Sequence, residues 1–231
     1  MENIQRQQEI INFLKTVHFA SIEEIANVIF TSSATARRDL QKLAEKGLIK
    51  LVYGGAVISE YCNQPVPIHL RDNVNSAQKE LIAKKASLLI NDNDTVLFES
   101  SSTVRRICRH IKERKNLTVI TNNLRVCEEL KNSNVRVFCT GGSLIPKHEC
   151  FVGHFAEEFL KKVKADKLFF SSQGLSQNGD ITDSSEEEIA LKKIMINVSK
   201  EQYFLYDSSK QNKDFPFTLC NAKEITQTIS L

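Results

Sequence analysis

No apolar run in the chain approaches the roughly 18 residues that a membrane-spanning helix needs, so no membrane partner is expected. The opening segment Met1–Gln8 is polar and lacks the apolar stretch of a signal peptide, which predicts a cytoplasmic protein. Glycine and proline are scarce, 8 and 4 residues, which excludes collagen-like and low-complexity arrays. The six cysteines (Cys62, Cys108, Cys127, Cys139, Cys150, Cys220) contain no Cys-x-x-Cys pair, so they predict buried small hydrophobes rather than a disulfide framework. One cluster, His148-x-Cys150-x-x-x-His154, has residue types that bind zinc, but its spacing matches no common structural site and a fourth ligand is missing. No metal and no cofactor is therefore expected. A strong charge of one sign is absent too, because the net charge of +3 is too small to announce a nucleic-acid partner.

What is present is an ordinary globular composition, 41% hydrophobic and 26% charged, in 231 residues, enough for one large or two modest domains. The charge is uneven. Between Thr31 and Tyr53 five basic residues (Arg37, Arg38, Lys42, Lys46, Lys50) face Asp39 and Glu45 alone. Such local concentration is the electrostatic footprint of a polyanion-binding face.

Periodicity then divides the chain. Ile4, Ile10, Ile11 and Leu14 form the stripe of a helix from about Asn3 to Lys15. Ser21-Ile22-Glu23-Glu24 is a capping box that opens a short helix with Ile22, Ile25, Ala26 and Ile29 inward. Phe30-Thr31 ends it, Ser32 caps the next helix, Leu40 and Leu43 point inward, and Gly47 stops it. Leu48–Val52, a Tyr53-Gly54-Gly55 turn and Ala56–Ile58 spell a β-hairpin. Three short helices and a hairpin describe a winged helix-turn-helix over residues 1–58. A polar linker, Ser59 to about Pro67 and broken by Pro65 and Pro67, leads through residues 59–75 to a second domain over 76–231.

In that second domain helices and β-rich segments alternate. Helix Ser76–Ile90 precedes strand Thr95–Phe98, helix Thr103–Ile111 precedes Leu117–Thr121, and helix Leu124–Leu130 precedes Val135–Cys139. A helix at His154–Lys162, strand Leu168–Phe170, helix Glu186–Val198 and strand Tyr203–Tyr206 follow. The fold class is thus α/β with a small α+β N-terminal domain, the larger part a mostly parallel sheet covered by helices. Ligands in such sheets sit beyond the carboxyl ends of the strands.

Two sets of residues carry candidate chemistry. A recognition helix needs small residues in its first turn and hydrogen-bonding or cationic groups beside them. Ser32, Ser33, Thr35, Arg37, Arg38 and Lys42 supply both, with Tyr53 and Gly54 in the wing. Arg37 and Arg38 lie about 100° apart on a helix and divide the work between base edges and phosphates, while Asp39 holds an arginine. The bland alternative is a solvated basic helix in a protein-interaction module. The second set gathers at strand ends: Glu99-Ser100-Ser101-Ser102-Thr103, Asn122, Gly141-Gly142, Gly174 and Lys210. Hydroxyls and helix N-terminal N–H groups cradle anions, asparagine bonds sugar hydroxyls, and Lys210 neutralises a phosphate. Taken singly, each is more often a loop residue satisfying local backbone.

The ordered string Ser32, Thr35-Ala36-Arg37-Arg38-Asp39-Leu40, Leu43, Gly47 and Gly54-Gly55-Ala56 resembles the signature of the DeoR family of bacterial repressors. Phe151-Val152-Gly153, Gln173-Gly174 and the acidic run Glu186-Glu187-Glu188 extend the resemblance from Ile4 to about Ile229. It implies a sensor domain resembling ribose-5-phosphate isomerase, a sugar-phosphate effector, double-stranded operator DNA as partner, and a homodimer or homotetramer. Three segments depart from the family pattern. Ala36 replaces a branched aliphatic, Glu99-Ser100-Ser101-Ser102-Thr103 stands for Asp-Ser-Gly-Thr-Thr, and Ser172-Gln173-Gly174 stands for Ala-Asp-Gly. Glu99 is expected to project further into the pocket than an aspartate. The reading is a transcriptional repressor of a sugar-metabolism operon and not an enzyme. A sugar-phosphate isomerase carrying a DNA-binding module is the enzyme alternative, and an activator or effector-independent DNA binder is a third.

Overall fold

A computed structural model describes residues 3–17, 19–52, 54–58, 71–72 and 75–231. The expected roles of the Ile4 side chain, of Tyr53 and of linker residues Ser59–Pro67 lie outside the described residues. The chain forms two compact units, Met1–Val66 and Pro67–Leu231.

The first unit runs α1 (Asn3–Val17), β1 (Phe19–Ser21), α2 (Ile22–Val28), α3 (Ser33–Glu45), β2 (Ile49–Val52) and β3 (Gly55–Ile58). Ser21 accepts from the Glu24 amide at 3.1 Å while the Glu24 carboxylate accepts from the Ser21 amide at 2.8 Å, the reciprocal bonds that the capping box predicts. Ser32 caps α3 through the Thr35 amide. Ile10, Leu14, Ile25, Ile29, Leu40, Leu43 and Ile49 meet in one core, and Ala36 is fully buried in it. Strand β1 was not foreseen, because three residues carry too little alternation to read. It pairs with β3, giving the order β1-β3-β2. Gly55 permits that pairing: a Cβ there would stand 2.1 Å from the Ala20 carbonyl oxygen. Gly47, at φ +70°, lets the chain leave α3 for β2.

The second unit is built on a six-stranded sheet. Its strands are β4 (Thr95–Phe98), β5 (Thr118–Thr121), β6 (Arg136–Cys139), β9 (Ala165–Phe170), β12 (Ser199–Leu205) and β14 (Gln227–Ile229). The order is β14-β12-β9-β4-β5-β6, every pairing parallel. Alternate residues serve opposite faces. Val96, Phe98, Val119, Phe169 and Leu205 pack beneath α4 (Ser76–Ser87), α5 (Ser102–Arg105), α6 (Cys108–Ile111) and α7 (Leu124–Leu130). Leu97, Ile120, Leu168, Phe170 and Phe204 pack beneath α8 (His154–Lys161) and α9 (Glu186–Asn197). Two small additions complete the unit. One is the hairpin of β7 (Ser143–Ile145) and β8 (Cys150–Val152); the other is an antiparallel trio of β10 (Gly174–Leu175), β11 (Asp180–Asp183) and β13 (Phe217–Asn221).

Several expected elements change. The single helix at Thr103–Ile111 is two single turns, α5 and α6, divided by a turn at Arg106–Ile107. The helix expected to reach Ile90 ends at Ser87. Arg71, Asp72 and Asn75, placed in the linker by sequence, are tied to the second unit, with Asp72 receiving Arg105 at 2.8 Å and Asn75 donating to Asp207 at 2.8 Å.

The topology positions a site. From β4 the chain steps outward through β5 and β6, then returns to lay β9 on the other side of β4. The carboxyl ends of β4 and β9 therefore flank a topological switch point, where the connecting loops diverge and leave a crevice.

Candidate functional site

In the first unit, Ser32, Ser33, Arg37, Arg38 and Lys42 are exposed, Thr35 is half-buried, and Gly54 is exposed in the wing turn. The first turn of α3 is thus small and hydroxyl-bearing, with both arginines on its outer side. Neither guanidinium makes a hydrogen bond or ion pair among the described residues. Asp39 is buried and receives Arg6 of α1 at 2.9 Å, so it fixes the arginine of another helix and locks α3 against α1.

In the second unit, the switch point opens into a polar cleft. Glu99, Ser101, Ser102 and Thr103 line it from the end of β4, Ser171, Ser172 and Gln173 from the end of β9, and Lys210 from the turn after β12. Arg71, Lys79, Asp183, Glu188 and Lys192 complete the wall.

One end of the cleft is a closed ion network. Lys192 sits 2.8 Å from Asp183, 3.5 Å from Glu99 and 3.7 Å from Glu188, all buried. Burial alone would neutralise Lys192, but the three carboxylates outweigh it and hold the ammonium charged well above its ordinary range. Glu99 is not the projecting group that its length suggested. It is held back by Lys192, by the Ser171 amide at 3.2 Å and by the Ser100 hydroxyl at 3.1 Å, and burial raises its carboxyl while Lys192 opposes the rise. Ser101 replaces the family glycine without strain, since its φ is −83°, and it caps α5 through the Val104 amide.

The other end is rich in cations. Lys79 is buried, 3.8 Å from Asp207 and 3.3 Å from the Ser102 hydroxyl. Burial lowers it to about 8, Asp207 opposing and Arg106 and Arg71 reinforcing the shift. Lys210 keeps part of its surface, yet its ammonium is packed among protein atoms. Burial, then Arg71, lowers it to about 8. Arg71 Nε finds no hydrogen-bond partner among the described residues. Three cations lining one end of a cleft suit an anion.

The structure brings five of the expected effector residues to this cleft: Glu99, Ser101, Ser102, Thr103 and Lys210. The others lie off its wall. Ser100 is turned to Glu99. Asn122 is buried and donates to the Phe151 carbonyl at 3.2 Å. Gly142 makes room for the hairpin, because a Cβ would stand 2.6 Å from the Val152 carbonyl oxygen, and Gly141 beside it turns at φ +66°. Gly174 lets the Lys213 carbonyl approach, where a Cβ would stand at 2.5 Å. The expected N-terminal anion cradle shrinks as well, since α5 is a single turn with little dipole. Arg71, Lys79, Asp183 and Lys192 were missed. Lys79 and Lys192 left a signal, each being a lysine at an inward position of its helix, in register with Ile82 and Ile189 respectively.

A winged helix-turn-helix with an outward basic face, followed by a larger α/β unit, is the architecture of a DNA-binding regulator. Residues 6–61 match the family model of the DeoR-like helix-turn-helix domain and residues 74–230 that of the DeoR C terminal sensor domain. The chain belongs to the DeoR family. It is 33% identical to the L-fucose operon activator of Haemophilus influenzae over 97% of this chain and 90% of that protein. It is 30% identical to the lactose phosphotransferase system repressor of Staphylococcus aureus over 99% of this chain and 92% of that protein. Among solved structures, ribose 5-phosphate isomerase A of Methanocaldococcus jannaschii aligns at TM-score 0.44 and 15% identity over 59% of this chain and 55% of that one. The chain is a DNA-binding transcriptional regulator and not an enzyme, in keeping with relatives that are named as regulators along nearly their whole length. No helix among the described residues is long and apolar enough to cross a membrane.

Proposed function

We propose that this regulator represses a sugar-metabolism operon and releases its operator when a phosphorylated sugar occupies the cleft of the second unit. The observation that carries the reading is that Lys79, Lys210 and Arg71 line one cleft, with Lys79 3.8 Å from the buried Asp207. A phosphate would supply negative charge, and the hydroxyls of Ser101, Ser102 and Thr103 with the Gln173 amide suit the sugar. The names of two relatives, an L-fucose operon activator and a lactose phosphotransferase system repressor, agree with a carbohydrate signal. On the DNA side, Arg37 and Arg38 read bases and phosphates, with Ser32, Ser33, Thr35 and Lys42 fixing register, and Gly54 brings the wing to the backbone. A homodimer or homotetramer would present two recognition helices one turn of DNA apart, and the exposed Leu88 and Phe155 supply apolar surface for that assembly. The effector acts by preferring the arrangement that does not bind DNA, since equal affinity for both would shift nothing.

Fluorescence anisotropy tests this with DNA from upstream of the chain's own operon against random duplex, with and without a panel of sugar phosphates. The expected result is binding at least about a thousandfold tighter to the upstream DNA, weakened by one sugar phosphate. Equal and salt-sensitive binding to both duplexes would mean phosphate attraction alone and would remove the proposal.

A further inference from the structure

Behind the carboxylate end of the cleft, His148, Cys150 and Glu188 form a group the regulatory reading does not use. His148 lies in the turn between β7 and β8, Cys150 opens β8, and Glu188 stands in the first turn of α9, set by the Ser185 cap. One ligand atom from each lies within 4.8 Å of the other two, and all three residues are buried. His148 Nδ1 and Glu188 share a hydrogen bond, while His148 Nε2 finds no partner among the described residues. An imidazole that merely fills a core has no reason to sit beside a thiol and a carboxylate with one nitrogen unsatisfied.

The donor set selects the ligand. Nitrogen, sulfur and oxygen from three side chains are the ligands of zinc, whereas magnesium and calcium take oxygen alone.

We propose that His148, Cys150 and Glu188 bind a zinc ion, with the fourth coordination position open at the wall of the cleft. Binding releases the thiol proton of Cys150 to solvent, so the ion meets a thiolate, and His148 ligates as the neutral imidazole. Glu188 also lines the cleft, which places the open position within reach of water or a cleft ligand. The site differs from the sequence motif that first suggested metal. His154 is exposed at the start of α8 and takes no part, and Glu188, remote in sequence, supplies the third donor. The inference does not rest on the effector reading.

Metal-stripped full-length protein titrated with cobalt(II) tests it. One equivalent per chain should bind with a thiolate-to-metal charge-transfer band, and zinc should displace it. Cys150→Ser should abolish the band, and His148→Gln should weaken binding by more than the roughly 10–100-fold that loss of a supporting residue costs. Cys139→Ser, at an exposed thiol, should keep both band and affinity. Circular dichroism of each metal-free variant checks its fold. Should the core variants misfold, zinc-edge X-ray absorption of the zinc-loaded parent decides, with one sulfur and nitrogen or oxygen neighbours expected. No uptake, a band surviving Cys150→Ser, or a zinc shell with no sulfur or several would overturn the site.

Discussion

The two units handle charge in opposite ways. In the first, Arg37 and Arg38 stand on the outer side of α3, solvated and exposed. In the second, Lys192, Glu99, Asp183 and Glu188 are buried together and satisfied by one another, and Lys79 and Lys210 lie deep beside Asp207. An exposed charge costs nothing to display and contributes little to folding, so it is free to serve recognition. A buried charge must be compensated within the fold, so it binds a small ligand only where that compensation is incomplete. The difference predicts that charge deletions in the two units divide cleanly between affinity and stability.

The sharpest way to break that comparison is Lys192→Met. Removing the ammonium leaves three carboxylates facing one another, and loss of about 3–5 kcal/mol from the second unit is expected. Guanidinium unfolding measures the loss. Peptide-level hydrogen exchange should localise it to β4, β9 and α9 while α3 keeps its protection. A variant as stable as the parent would mean that Lys192 does not hold the network together.

Arg37→Ala is the converse. Operator affinity should fall by about 1–3 kcal/mol, measured by anisotropy. Stability should move by no more than about 0.5 kcal/mol, as for surface changes generally. If Arg37→Ala binds operator as tightly as the parent, the reading face of α3 is misplaced.

The same contrast explains what could be read from sequence. The fold of the first unit was nearly complete there, because Ser21, Ser32, Gly47 and Gly54 mark their own turns and the apolar spacing of its helices marks the core. In the second unit strand β4 and helix α7 fell where spacing put them. Strands β7, β8, β10 and β14 did not, since two or three residues cannot show a period. The cleft was half legible. Glu99 to Thr103 and Lys210 sit at strand ends, where topology directs attention. Lys79 and Lys192 sit inside helices, and their role exists only once Asp207 and Asp183 arrive from elsewhere in the chain.

A pH titration probes the cation-rich end of the cleft. Lys79 and Lys210 are cationic below about 8 and lose their protons as pH rises through it. A phosphate monoester has already reached its doubly charged form above about pH 7. Sugar-phosphate affinity should therefore be greatest below pH 8 and fall about tenfold per unit above it for each lysine required. Folding responds with the opposite sign. Both lysines have folded-state values below their unfolded one, so their charge opposes folding at neutral pH and that opposition fades between about 8 and 10.4. Lys210→Ala should leave operator binding intact, blunt the effector response and flatten the affinity profile. An unchanged dose curve would remove Lys210 from the site.

The smallest effect expected lies in the turn between α2 and α3. Phe30 holds φ +50° with 88% of its surface exposed, a left-handed conformation that costs a bulky residue about 1–2 kcal/mol and that no packing in its own unit repays. Asparagine tolerates that conformation without the extra backbone freedom of glycine. Phe30→Asn should thus stabilise the first unit, by about 1 kcal/mol or less, seen as a higher melting midpoint. A lower midpoint would mean that Phe30 has contacts the turn does not reveal. Operator anisotropy on the same variant sharpens the boundary of the reading face. Phe30 precedes the Ser32 cap by two residues, so unchanged affinity confines recognition to α3 and the wing, whereas a clear loss would make the strained aromatic part of the DNA contact and give its strain a purpose.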